Sequence, residues 1–232
     1  TSVKFFKQFA ILKFEGIDTL NDVEVYKGAQ LYVDRKHAVK LEKDEYFKDL
    51  EGINIPVFNG GDGKSNHPTQ SLLDLMTIYE EFGHFEGLKC CIIGDISHSR
   101  VAHTNIEVME RLGMEVYISG PEEYNDGSAR YLDFDEACKT CDVIMLLRVQ
   151  FERHSEDMSI TKEEYHDRYG LTMERVNNMK ENAIITHPAP FNRGVEIADD
   201  VAECEKARIY KQMTNGVYTR MAVISMVLDG KL

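Results

Sequence analysis

From about residue 61 onward the sequence alternates between helical spacing and short, nearly unbroken apolar runs. Pro68 opens a segment in which Leu72, Leu75, Met76, Tyr79 and Phe82 recur at helical spacing, and Gly83 closes it. The run from Leu88 to Asp95 reads as a buried strand, and Val101 to Leu112 as the helix after it. Further strands are expected over Glu115 to Ser119, Val143 to Leu147 and Ala183 to Thr186. Further helices are expected over Phe134 to Lys139, Lys162 to Tyr169, Leu171 to Asn178 and Asn215 to Leu228. Apolar strands alternating with helices indicate a parallel sheet covered on both faces. The expected fold class is therefore α/β, a doubly wound, Rossmann-like parallel sheet over residues 84 to 210, where ligands gather beyond the carboxyl ends of the strands.

The front of the chain has a different texture. Val3 to Phe14 is aromatic and β-branched with partial alternation, and Ala29 to Val33 is similar, so both read as strands. Between them a short helical stretch is expected, capped by Thr19 or Asn21 and stopped by Gly28. This small β-rich segment precedes the point after which nearly all the acidic excess lies.

The net charge of −13 argues against a general nucleic-acid or anionic-membrane surface, because phosphate binding depends on Lys and Arg. A local arginine cluster can still hold a small anion. The sequence has no apolar run long enough to span a membrane and no secretory pattern, so the cytoplasm is the expected compartment. Five cysteines fit reduced thiols better than a disulfide framework. Cys138 and Cys141 lack a second ligand pair, so they read as small buried hydrophobes and no metal is assigned.

Three turns fall at expected carboxyl ends of strands: Asp95 to Arg100, Arg148 to Gln150, and His187 to Arg193. Arg100 or Arg148 alone is explained as a solvated loop position. Two guanidinium forks on one sheet edge suit a small dicarboxylate, since each matches a carboxylate in bidentate geometry. His187-Pro188-Ala189-Pro190 offers carbonyls but few N–H groups, so it can aim acceptors at an amide or serve only as a rigid loop. Ala189-Pro190 is a bond whose isomer the sequence leaves open. Asn59 to Gln70 sets three glycines ahead of a helix, where free N–H groups favour an anion, although a plain glycine-rich connection explains it equally well. His67 and Gln70, three apart at that helix start, share a face.

The motifs His67-Pro68-Thr69-Gln70-Ser71-Leu72-Leu73-Asp74, Gly94-Asp95 with Arg100, Arg148-Val149-Gln150 and His187-Pro188-Ala189-Pro190 resemble the ordered motifs of aspartate carbamoyltransferase. Gln212 to Arg220 is similar to that family's final helix, so the resemblance runs from about residue 53 to 232. It implies transfer of a carbamoyl group from carbamoyl phosphate to L-aspartate, with no cofactor. It implies that His67 polarises the carbonyl oxygen, that Gln70 and the backbone of Pro188, Ala189 and Pro190 hold the carbamoyl amide, and that Arg100, Arg148 and Gln150 grip aspartate. A homotrimer and a regulatory chain are further implications. The family's Ser-Thr-Arg-Thr-Arg phosphate segment and its lysine-bearing loop have no counterpart here, which implies weak or no turnover by this polypeptide alone.

Residues 1 to 50 resemble a different family, the ribosome maturation factor RimM, through Val3 to Phe9, Leu12 to Asp18, Asn21 to Glu24, Tyr26 to Gly28 and Leu41 to Phe47. The expected division is a partial barrel over 1–51, a remnant of a carbamoyl-phosphate domain over 52–83, an aspartate-binding domain over 84–210, and a final helix over 211–232 returning to the carbamoyl-phosphate part. A fused or truncated reading frame explains the junction near Asp49 to Gly52. The alternative functions are a non-catalytic amino-acid-binding remnant and ribosome assembly.

Overall fold

Apolar runs flanked by turns become the strands of one parallel sheet in the computed structural model, which describes residues 2–6, 9–13, 59–61, 66–149 and 160–228. The chain divides into two compact units, Thr1–Lys43 and Asp44–Leu232. In the first, β1 (Ser2–Phe6) pairs antiparallel with β2 (Phe9–Lys13). The expected strand from Val3 to Phe14 is thus two strands. The expected strand at Ala29 to Val33 and the helix before it lie outside the described residues.

The second unit begins its regular structure with α1 (Pro68–Phe82), which has Pro68 in its first turn and Gly83 in the left-handed conformation as its stop. Next come β3 (Lys89–Ile93), α2 (Arg100–Arg111), β4 (Glu115–Ser119), a two-residue β5 (Arg130–Tyr131), α3 (Phe134–Thr140) and β6 (Val143–Leu146). The element order ends with α4 (Lys162–Tyr169), α5 (Met173–Asn177), β7 (Ile184–Thr186) and α6 (Ile209–Leu228). The sheet order is β5-β4-β3-β6-β7, every pairing parallel. Strand β5 is too short to leave a periodic signal.

Alternate residues of the inner strands enter two separate cores. Cys91, Ile93, Ile144, Leu146 and Ile185 pack with Phe134, Ala137, Val176 and Ile209 on one face. Cys90, Ile92, Val143, Met145 and Ile184 pack with Ile78, Ala102, Ile106 and Met109 on the other. Both faces are covered, which is why these strands read as continuous apolar runs. Cys138 and Cys141 sit in the first core as small apolar groups, and burial pushes their thiols up to about 12 and about 11.

Two helices differ from expectation. Helix α5 starts at Met173 because the Thr172 hydroxyl accepts from the Arg175 N–H as a cap, while Leu171 bridges to Ile197. Helix α6 begins at Ile209, six residues before the expected Asn215. Asn215 and Gly216 are weak helix formers, but packing overrides them. Asn215 Nδ2 donates to Thr77 Oγ1 at 3.0 Å and to Glu80 Oε2 at 2.8 Å, and a Cβ at Gly216 would lie 3.1 Å from Leu73 Cδ2. Both residues are therefore points of close approach between α6 and α1.

The carboxyl edge of the sheet is equally tight. Gly120 leaves β4 with φ +136, and a Cβ there would meet the Gly94 carbonyl oxygen at 2.8 Å. Gly120→Ala is expected to lower stability by about 2 kcal/mol or more in urea denaturation. Gly127→Ala, also at positive φ but facing open space, should cost only about 1 kcal/mol. Equal losses would show that the Gly94 contact is not the constraint.

Candidate active site

Strands β3, β6 and β7 are neighbours, with Ile93 opposite Leu146 and Met145 opposite Thr186. The three sequence-predicted turns therefore leave one edge of the sheet side by side. After β3, the Asp95 carboxylate accepts from Ser97 Oγ at 3.1 Å and from the His98 backbone N–H at 3.2 Å, which folds the turn back. Ser99 then caps α2, its Oγ accepting from the Ala102 N–H at 3.1 Å, so Arg100 is the first helical residue. The Arg100 guanidinium lies against Gly61, where a Cβ would be 3.0 Å from its Cζ. One glycine of the glycine-rich segment thus makes room for this arginine.

His67 is the residue before α1, and its N–H donates to Thr104 Oγ1 at 3.0 Å. The Thr104 hydroxyl donates in turn to the Arg100 carbonyl at 2.9 Å. The start of α1 and the first turn of α2 are joined through one side chain, which brings His67 and Arg100 into the same corner.

His187 leaves β7 fully buried. Its Nδ1 accepts from the Ala189 N–H at 3.0 Å, so in the neutral ring the proton is on Nε2, which faces Glu196 Oε1 at 3.4 Å. Ala189 has φ +47, a left-handed conformation that an alanine adopts only where its surroundings impose it, and the Ala189–Pro190 bond is cis. Asn192 ties this loop to the one carrying Arg148: its N–H donates to Glu196 Oε1 at 2.5 Å and its Nδ2 to the Val149 carbonyl at 3.0 Å. Arg148 lies two residues beyond the end of β6, while Gln150 lies outside the described residues. A cavity of about 460 Å³ opens beside this loop, lined by Val149, Lys162, Asn192 and Arg193 among others. A larger one of about 580 Å³ sets Glu122, Glu123 and Glu164 against Arg168, a poor balance for an anionic ligand.

The residue that spacing and charge did not single out is Asp74, fully buried on α1. Its Oδ1 accepts from Gln70 Nε2 at 2.9 Å and from Gln212 Nε2 at 2.8 Å, and its Oδ2 accepts from Asn105 Nδ2 at 2.8 Å. Gln212 Oε1 accepts from the His187 N–H at 2.8 Å. A single carboxylate thus links the predicted Gln70 to the head of the His187 to Pro190 turn, across α1, α2 and α6. The signal available in the sequence was an aspartate one turn after Gln70 on a buried helix face, flanked by Leu73 and Leu75.

Burial raises the Asp74 carboxyl from its ordinary 3.8 to about 6, against the opposing pull of Asn105, Gln212, Gln70 and Arg220. Between these two values the folded chain keeps a proton that the unfolded chain has released. The contribution of Asp74 to stability therefore falls as pH rises through that window and is constant above it. Relative to Asp74→Asn, which cannot titrate, the wild-type chain should lose about 2 kcal/mol between pH 4 and pH 7. Urea denaturation of both proteins across that range checks this, and a difference independent of pH would contradict it.

The sequence model of the aspartate/ornithine carbamoyltransferase Asp/Orn-binding domain matches residues 86–227, and that of the carbamoyl-P binding domain matches residues 17–80. The second match takes in most of the stretch expected from sequence to be RimM-like, residues 1 to 50. The aspartate carbamoyltransferase catalytic subunit of Streptococcus pyogenes serotype M12 (strain MGAS2096) is 52% identical over 200 residues, 83% of this chain. The chain spans 64% of that relative's length. Among solved structures, the catalytic subunit of M. jannaschii aspartate transcarbamoylase superposes with TM-score 0.63 at 29% identity, covering 74% of this chain and 58% of that one. Aspartate transcarbamoylase from Trypanosoma cruzi in complex with N-(phosphonacetyl)-L-aspartic acid superposes with TM-score 0.62 at 26% identity, covering 73% and 56%. With the parallel sheet, the three turns at its edge and these matches together, the chain belongs to the aspartate/ornithine carbamoyltransferase family.

Proposed function

We propose that the chain is the larger part of an aspartate carbamoyltransferase catalytic chain, built to carry the carbamoyl group of carbamoyl phosphate to the amine of L-aspartate. The observation that carries this reading is the link from Gln70 through Asp74 and Gln212 to the His187 to Pro190 turn, because it unites two separate motifs at one sheet edge. In this reading His67 donates to the carbamoyl oxygen, and Gln70 with the carbonyls of Pro188, Ala189 and Pro190 accepts from the carbamoyl N–H groups. Arg100, Arg148 and Gln150 hold the two carboxylates of aspartate. The aspartate amine attacks the carbonyl carbon, the oxygen takes the charge beside His67, and the C–O bond to phosphate breaks as the intermediate collapses, the amine proton leaving with the phosphate. Orientation and charge stabilisation are sufficient chemistry for this step, without a cofactor.

Aspartate is preferred over ornithine because two guanidinium groups match two carboxylates, and because the 52% identical relative is an aspartate enzyme. No Ser-Thr-Arg-Thr-Arg segment occurs among the 232 residues, so phosphate has few cationic partners and turnover by this polypeptide alone is read as weak. The same feature favours the second reading, an amino-acid-binding remnant without catalysis. Ribosome assembly through residues 1 to 50 rests on their resemblance to RimM alone. A homotrimer, with a regulatory chain bound, is the assembly the family resemblance favours.

Aspartate binding, followed by calorimetry, and carbamoyl aspartate formation at saturating substrates test the proposal. Arg148→Ala should weaken aspartate binding roughly 10- to 100-fold, the worth of a charge-assisted pair of hydrogen bonds. Unchanged binding in that variant would overturn the site assignment, and turnover as fast as an intact family enzyme would overturn the weak-turnover reading.

A further inference from the structure

We propose that Asp74 is a positioning residue that fixes the hydrogen-bond polarity of the amide-binding pocket, so that the pocket presents acceptors only and selects an NH2 group over a methyl group of the same shape. This rests on the reading of Gln70 as the side chain that meets the carbamoyl amide. A carboxylate is an acceptor with no proton to give, and Asp74 receives three carboxamide donors: Gln70, Gln212 and Asn105. Each glutamine is thereby committed. With Nε2 of Gln70 on Asp74, its Oε1 is turned away from the carboxylate, and it takes no donor from any described residue. With Nε2 of Gln212 on Asp74, its Oε1 accepts from the His187 N–H and holds the head of the turn whose next three residues offer carbonyls.

The groups facing Asp74 make this arrangement one-directional. Arg220 on α6 favours its charged form, and Cys90 on β3 is a thiol that burial and the nearby negative charge hold protonated. Without the carboxylate, the Gln70 amide would be free to turn and offer N–H groups to the pocket, donor against donor with a carbamoyl NH2. A ligand that ends in a methyl group would lose nothing by that turn. Asp74 therefore acts on selectivity between two ligands of equal shape, beyond its part in holding three helices together.

The test compares the affinity of the intact chain for phosphonoacetamide with that for 2-oxopropylphosphonate, which carries CH3 in place of NH2. Phosphate charge and the carbonyl are common to both probes, so His67 and any cation on the phosphonate cancel in the ratio. Asp74→Leu, which offers no acceptor, should reduce the preference for the amide about tenfold. Asp74→Asn should retain most of it, because Asn105 can turn its amide, whose Oδ1 has no other partner, towards the new N–H group. A loss of fold or packing alone would weaken both probes together and leave the ratio intact.

Gln70→Ala separates the two claims. A preference that survives Gln70→Ala overturns the reading of Gln70 itself, whereas a preference lost in Gln70→Ala but kept in a folded Asp74→Leu overturns the role of Asp74. Side-chain amide exchange in the unaltered chain decides the matter should Asp74→Leu not fold. The Gln70 NH2 protons, assigned with Gln70→Ala, should be protected before any probe is added, and protection that arises only with phosphonoacetamide would overturn the proposal.

Discussion

The carboxylate of Asp74 is the constraint around which this part of the molecule is arranged. A charge with no exposed surface is held in the interior only if its oxygens are satisfied, and here the partners come from α1, α2 and α6. Three elements far apart in sequence must therefore converge on one point. The carboxyl is raised to about 6 because burial outweighs the pull of these donors. Apolar packing holds the same helices together, but it does not specify which way an amide turns. The charge adds that direction, and through Gln212 extends it to the backbone of His187.

Around this point the sheet supplies placement. Parallel strands β3, β6 and β7 end in register, so Arg100, Arg148 and the His187 to Pro190 turn are delivered to one edge by three different connections. Each connection is braced locally: Asp95 folds the first turn, Asn192 ties the second and third together, and glycines permit the close approaches that side chains would block. The chain is acidic as a whole, with a net charge of −13, yet its edge carries the guanidinium groups. An acidic overall balance and a local pair of guanidinium groups are compatible, because salt screens the long-range repulsion within about a Debye length.

Family membership and activity stand at different levels. The matched domains cover most of the chain, and the chain in turn covers 64% of the Streptococcus pyogenes catalytic subunit. The fold is therefore family property, while the activity is a proposal that the site residues carry. Residues 17 to 50, expected from sequence to be a RimM-like segment, fall within the carbamoyl-P domain match.

The sequence by itself determined the class of fold and most of its parts. Apolar runs of four or five residues, helical spacing from Pro68 to Phe82 and the cap at Gly83 are local signals, and local signals survive in one dimension. The positions of His67, Gln70, Arg100, Arg148 and the His-Pro-Ala-Pro turn at or near the ends of such elements were legible for the same reason. Two things were decided only in three dimensions. The expected helix began at Asn215, whereas it starts at Ile209 and places Asn215 and Gly216 in its interior, where α1 packs against them. In the sequence Asp74 is only the last residue of the His67 to Asp74 motif, and its place at the centre of a buried network was not legible, because two of its partners lie 31 and 138 residues away along the chain. Periodicity reports which face of an element is buried, but a hydrogen bond between distant side chains leaves no trace until the chain has folded to bring them within 3 Å.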